Sequence, residues 1–136
     1  MDTDRPVLVI GASGIDVKGR SLEPLQMGHL HEGKVRSTVG GVARNISENL
    51  ARLEVPAVLL SAVGEDPSGD LLLARTEAAG VDTRAVLRVP DRQTGTYLAL
   101  LDETGHTAIS LSDYGIMSAI SPSYLQRHRR LFAEAS

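Results

Sequence analysis

The chain has 136 residues, neither cysteine nor tryptophan, and a net charge of −3 from 14 basic and 17 acidic side chains. That balance argues against general nucleic-acid or membrane-surface binding, and Tyr97, Tyr114, Tyr124 and Phe132 are too few aromatics for a base-stacking platform. Disulfide and thiolate chemistry are excluded, residues 1–6 do not read as a signal peptide, and no apolar run approaches a membrane span, a combination that suits a cytoplasmic protein.

The first element is VLVIGAS (7–13), a short unbroken apolar run that reads as a strand buried on both faces of a parallel sheet. Residues 15–24 and 33–39 alternate more loosely and read as exposed strands. A helix is predicted from Val42 to about Arg52, with Val42, Ile46, Leu50 and Leu53 as its apolar stripe and Pro56 beyond its end. AVLLSAV (57–63) is a second buried strand. The stretch 64–80 opens another helix, with Asp66 as N-cap, Pro67 in the first helical position and Gly80 as the stop. Strands follow at 84–89, 95–102 and 106–112, the last two joined by a Glu-Thr-Gly turn. Residues 121–135 form a helix started by Ser121 and Pro122, with Tyr124, Leu125, His128, Leu131 and Phe132 on one face. No internal repeat or low-complexity tract interrupts this order.

The pattern implies an α/β fold, a parallel sheet with a small antiparallel appendage. The chain stops on an amphipathic helix, which in a right-handed α/β repeat leads back to another strand. The sheet therefore reads as incomplete, and the 136 residues as part of a longer protein.

Ligands of open α/β sheets bind at the carboxyl ends of the strands. Asp16 follows the first strand, the Gly40–Gly41 pair opens the helix that carries Asn45, and Gly64 and Asp66 follow the second strand. All three segments are predicted to meet at one rim. Paired glycines admit a ligand to bare backbone, free amides at a helix start donate to oxygens, Asn45 offers both donor and acceptor, and Asp16 offers only acceptors. That set suits a neutral polyol, with Arg44 and Lys18 as the nearby cations. Asp66 reads first as a helix cap.

Other features carry less. His29 and His31 would share a strand face as a metal pair, but no third ligand stands near them. Arg127, Arg129 and Arg130 read as a solvated face balanced in part by Glu134, with His128 half-buried. Gly11, Gly14 and Gly19 lack the spacing of a dinucleotide-binding fingerprint, which leaves a dinucleotide-binding domain as a weaker alternative. A non-catalytic polyol-binding or assembly module is a third reading.

The residues VLVIGASGIDV, GGVARNISENLARL followed by LLSAVGEDPSG, AAGVDTRAV and TGTYLALLDETGHTAISLSD resemble the N-terminal half of the ribokinase-like, or phosphofructokinase-B (PfkB), family of sugar and nucleoside kinases. GASGIDVKGR, GKVRSTVGGVARNISENLARL and ISLSDYGI look most like its pseudouridine kinase branch, with ribokinase or fructokinase specificity as the alternative. The resemblance implies a Rossmann-like ribokinase fold and transfer of a phosphoryl group from ATP, with Mg2+, to a sugar hydroxyl. It implies that Asp16, Gly41 and Asn45 hold sugar hydroxyls, that Gly40 shapes the turn, and that Asp113 and Tyr114 are candidate substrate contacts. Strands within 15–39 and 95–112 would form a β-lid, which in this family often pairs two subunits and so suggests a homodimer. The sugar or nucleoside is the expected partner, with no nucleic acid and no membrane. The family's catalytic Asp lies in a Gly-Ala-Gly-Asp motif that this sequence lacks, and no Walker A pattern is present. No catalytic, cofactor-binding or metal-binding residue is therefore assigned within the segment, which alone should not phosphorylate. One departure from the family is Glu54, at a turn where a small residue, often Gly, is usual.

Overall fold

The structure is a computed structural model and describes residues 5–135. Its elements in chain order are β1 (Val7–Ile10), β2 (Gly14–Ser21), β3 (Gly33–Gly40), α1 (Val42–Arg52), β4 (Ala57–Leu60), β5 (Ala62–Gly64), α2 (Pro67–Ala78), β6 (Leu87–Val89), β7 (Thr96–Leu101), β8 (Thr107–Asp113), a 3-10 turn (Gly115–Ala119), α3 (Pro122–Arg127) and α4 (Arg129–Glu134). The two apolar runs pair as predicted, β1 parallel to β4 with Val9 opposite Leu59. The 57–63 strand is broken at Ser61, whose buried hydroxyl meets that of Ser13 at 2.7 Å. Past the break, β5 pairs in parallel with β6.

Period-two alternation sorts the core. Val9 and Leu59 pack with Ala43 of α1 on one face, whereas Val58 and Leu60 pack with Ala85 and Tyr124 of α3 on the other. Full burial of a side chain such as Leu59 or Leu60 contributes about 1.5–3 kcal/mol. Tyr124 is buried at no loss to its hydroxyl, which donates to the Ala85 carbonyl. Burial pushes that phenol up to about 12.

The appendage is a four-stranded sheet of order β3-β2-β7-β8. It is mixed and not wholly antiparallel: β2 runs parallel to β7, while β2–β3 and β7–β8 are antiparallel. Its inner end is seated on α2 through Ile15, which joins Val63 and Leu72 in a third cluster.

Five expectations need correction. Val42, Ile46 and Leu53 face outward at 71%, 46% and 74% exposure, and of the predicted α1 stripe only Leu50 packs against the core. Ala43, Arg44 and Ser47 form the inward face instead. The reason is close backbone approach: small Ala43 lies against the sheet, while Arg44 donates to Thr76 on α2 and the Ser47 hydroxyl donates to the Ala43 carbonyl of its own helix. Second, β1 is not buried on both faces, since Ile10 is 44% exposed; among the described residues β1 has one ladder neighbour. Third, the segment expected as a strand over 84–89 first makes a turn, held by Arg84 on the Asp82 carboxylate at 2.7 Å, and extends only from Leu87. Fourth, the terminal helix divides at His128, and Phe132 is exposed. Fifth, His29 and His31 lie between β2 and β3 and not on a strand; the His31 ring bridges Glu23 Oε1 (2.9 Å) and the Gln26 amide (2.9 Å). Among the described residues no three His, Cys, Asp or Glu side chains gather for a metal, and no helix is long and apolar enough to cross a membrane.

Glu54 has φ +61°, just past the end of α1. A left-handed conformation costs an L-residue about 1–2 kcal/mol, partly offset by the greater freedom glycine has when unfolded. Glu54→Gly should therefore stabilise the chain by about 0.5–1 kcal/mol, read from urea denaturation.

Candidate functional site

The register of the four-stranded sheet places Asp16 between Thr38 of β3 and Tyr97 of β7 on one face. The β1–β2 connection brings Ala12 alongside, and the start of α1 closes the corner. Ala12, Asp16, Gly41, Val42, Asn45, Tyr97 and Tyr114 line one cleft of about 280 Å³. Four of the sequence-predicted residues, Asp16, Gly41, Asn45 and Tyr114, thus stand together.

Each glycine has a different task. A Cβ on Gly40 would run into the Asp16 carboxylate, so its absence leaves room for that side chain. Gly41 has φ +98°, and a Cβ there would lie 2.5 Å from both Ala12 O and Ser13 Cα. The start of α1 is therefore pressed against the β1–β2 connection. The Ala12 carbonyl accepts from the amides of Ala43 (3.1 Å) and Arg44 (3.4 Å). Those two helix-start amides are not free for a ligand, contrary to expectation. The amides of Gly41 and Val42 make no hydrogen bond among the described residues.

Tyr114 enters the cleft because Gly14 and Gly95 have no side chains: a Cβ on either would fall 2.6 Å from its hydroxyl or its ring. Burial, and next the Asp16 charge, hold its phenol above the usual value. Asp113 lies apart, exposed at the end of β8, with its carboxylate accepting from the Gly115 amide at 3.3 Å. Asn45 is exposed, and its Oδ1 accepts from Arg44 Nη1 at 3.3 Å.

Gly64 and Asp66 do not line this cleft. Asp66 caps α2 by accepting from the Gly69 amide (2.7 Å), and it also accepts from the amide (2.7 Å) and hydroxyl (2.6 Å) of Thr94. Burial pushes its carboxyl up, but the Thr94 and Gly69 hydrogen bonds outweigh this and hold it below the usual range. The cap knits α2 to the segment leading into β7.

Arg44 also turns away from the cleft. It is 4% exposed, donates to Thr76 Oγ1 on α2 at 3.0 Å and pairs with Glu48 at 2.6 Å. Removing one partner of a buried pair leaves an uncompensated charge, so Glu48→Ala should cost about 3 kcal/mol in chemical denaturation at pH 7. Hydrogen bonding from Arg52, then the Arg44 charge, holds the Glu48 carboxyl below its ordinary value against the opposing effect of burial. A lowered folded-state pKa contributes stability that is present above the unfolded value, near 4.3, and lost as pH falls through the folded one. Glu48→Gln should therefore flatten the loss of stability below about pH 4, with Asp66 and Asp82 retaining the rest.

Tyr97 and Ala12 were not singled out from the sequence. Tyr97 shares the Asp16 face only through the parallel β2–β7 register, and pairing between strands eighty residues apart leaves no local signal.

Known proteins share this fold. The model of the pfkB family of carbohydrate kinases matches residues 4–136. Pseudouridine kinase of Escherichia coli K12 is 43% identical over 129 residues, 95% of this chain and 41% of that enzyme. A carbohydrate kinase from Agrobacterium tumefaciens is 27% identical and superposes with a TM-score of 0.76 over 90% of this chain and 39% of its own. The ribokinase of Arabidopsis thaliana, solved with ribose and ATP, is 22% identical with a TM-score of 0.81 over 96% of this chain and 43% of its own, a likeness of fold. The chain thus spans well under half the length of these relatives. With strands, helices and glycines in these places and a family match along nearly its whole length, the chain belongs to the pfkB carbohydrate kinase family and corresponds to its N-terminal part.

Proposed function

We propose that this chain is the acceptor-binding part of an ATP-dependent kinase that phosphorylates a sugar hydroxyl, with pseudouridine as its substrate. The observation that carries the reading is the cleft in which the Asp16 carboxylate, the Asn45 amide and the bare backbone of Gly41 converge beneath Tyr97 and Tyr114. A carboxylate accepts from hydroxyls, an amide does both, and aromatic rings offer a face to a base. The 43% identity to a pseudouridine kinase favours a nucleoside over a free sugar. In this reading the four-stranded sheet is a lid that orients the reacting hydroxyl and excludes water.

ATP with Mg2+ supplies the phosphoryl group in this chemistry. Asp66 is already engaged by Thr94 and Gly69, and the reading gives it no part in that chemistry. The contribution of this chain is to hold and aim the acceptor.

The test is turnover with ATP and pseudouridine, ribose or fructose, by the 136-residue chain and by a C-terminally extended form. The extended form should phosphorylate pseudouridine with the highest kcat/KM and the short form none. Robust turnover by the short form, or none by the extended one, would contradict the reading.

A second copy of the chain is the proposed partner of the lid. By register, Val35, Leu98, Leu100, Ile109 and Leu111 share the face opposite Asp16, and all five are exposed. Light scattering should report a dimer, and Leu98→Glu with Leu111→Glu a monomer.

A further inference from the structure

Among the described residues Arg44 is the one charged residue that is buried, and it does not line the cleft that holds Asp16. Its guanidinium is held on two edges. Nε donates to Thr76 Oγ1 on α2 at 3.0 Å, and Thr76 in turn donates to the Leu72 carbonyl at 2.6 Å. Nη2 meets Glu48 Oε2 at 2.6 Å, and the other Glu48 oxygen is taken by Arg52 at 2.6 Å. These contacts account for the place of Arg44 between α1 and α2. They leave Nη1 over, and Nη1 donates to Asn45 Oδ1 at 3.3 Å. A guanidinium is a rigid planar fork, so fixing two of its edges fixes the direction of the third N–H.

That contact decides which way the Asn45 amide faces. An arginine only donates, so the amide atom beside it is the carbonyl oxygen, and the NH2 is the end left for a ligand. Asn45 Nδ2 makes no hydrogen bond among the described residues, and Asn45 is a wall of the Asp16 cleft. The Asp16 carboxylate can only accept. The two side chains therefore offer opposite polarity: a hydroxyl can donate its proton to Asp16 while a hydroxyl oxygen accepts from Asn45. An amide turned the other way would set a second acceptor beside the first.

We propose that Arg44 is a positioning residue for the acceptor: it fixes Asn45 as a hydrogen-bond donor to the sugar without touching the sugar itself. The inference rests on the reading of the Asp16–Asn45 cleft as the acceptor site. Lysine cannot replace arginine in this role. It keeps a charge beside Glu48 but presents a point ammonium where the fork reaches three partners.

A double-substitution cycle in the extended form tests the proposal, with ATP and whichever of pseudouridine, ribose or fructose it turns over best. Arg44→Lys should lower kcat/KM for the acceptor about tenfold and leave KM for ATP unchanged. Asn45→Ala should lower it by at least as much, and the double variant no further than Asn45→Ala alone. The fall in melting temperature caused by Arg44→Lys should be the same in both backgrounds, because Thr76 and Glu48 are present in each. Asn45→Asp is the companion variant, in which Arg44 is untouched. It should melt no lower than the parent, since a carboxylate suits the guanidinium, yet lose as much kcat/KM as Asn45→Ala, since the donor is gone. Parent-like kcat/KM in Arg44→Lys or in Asn45→Asp would overturn the proposal. So would kinetic losses that multiply in the double variant, which would mean that Arg44 acts through the fold and not through Asn45. If Asn45→Ala itself leaves kcat/KM unchanged, or no acceptor is turned over, the reading of the cleft fails first and the proposal with it.

Discussion

Replacing Asp16 by Asn should lower kcat/KM of the extended form for the proposed sugar acceptor by about 100-fold and leave the melting temperature almost unchanged. The size follows from the loss of a charged hydrogen-bond acceptor, about 1.5–3 kcal/mol, at about tenfold per 1.4 kcal/mol. The unchanged melting temperature follows from the structure: Asp16 is half-buried, and its carboxylate makes no ion pair or hydrogen bond among the described residues. No part of the fold rests on it. Gly40→Ala supplies an independent check, because the added methyl meets the Asp16 carboxylate, the free end of a side chain that can swing aside. That variant should weaken acceptor binding about tenfold with only a small loss of stability. Steady-state kinetics beside thermal melts separate the two effects.

One residue further along, Gly41→Ala unfolds the chain or costs it about 3 kcal/mol or more. A φ of +98° already strains an L-residue, and the methyl would lie 2.5 Å from Ala12 O and Ser13 Cα. Those are backbone atoms, and the Ala12 carbonyl cannot retreat without giving up the Ala43 and Arg44 amides. Strain, overlap and lost hydrogen bonds add in the same direction. Denaturation midpoints of the two glycine variants should therefore differ sharply: small for Gly40, large for Gly41. A Gly41→Ala loss below about 1 kcal/mol would mean that α1 does not abut the β1–β2 connection in this way.

The parallel pair β1 and β4, the Asp66 cap, the Pro67 start and the Gly80 stop were legible because each is a local preference of the chain. The Gly40–Gly41 pair marked the close approach of α1 to the β1–β2 connection for the same reason. The inward face of α1 was not legible. Apolar periodicity named Val42, Ile46 and Leu53, yet close packing and paired polar groups chose Ala43, Arg44 and Ser47. Arg44 illustrates the limit: a charged residue reads as surface until Glu48 and Thr76 are known to receive it. Tyr97 required the pairing of β2 with β7, which is a long-range fact. Asp66 was legible as a cap, but its absence from the cleft depends on Thr94, a residue without any local signal.

A crystal structure of the extended enzyme with pseudouridine examines the placement of the acceptor itself. Ribose hydroxyls should lie within about 3 Å of the Asp16 carboxylate and the Asn45 amide, with the base against Tyr97 or Tyr114. A ligand seated elsewhere, with Asp16 and Asn45 facing only water, would contradict this assignment.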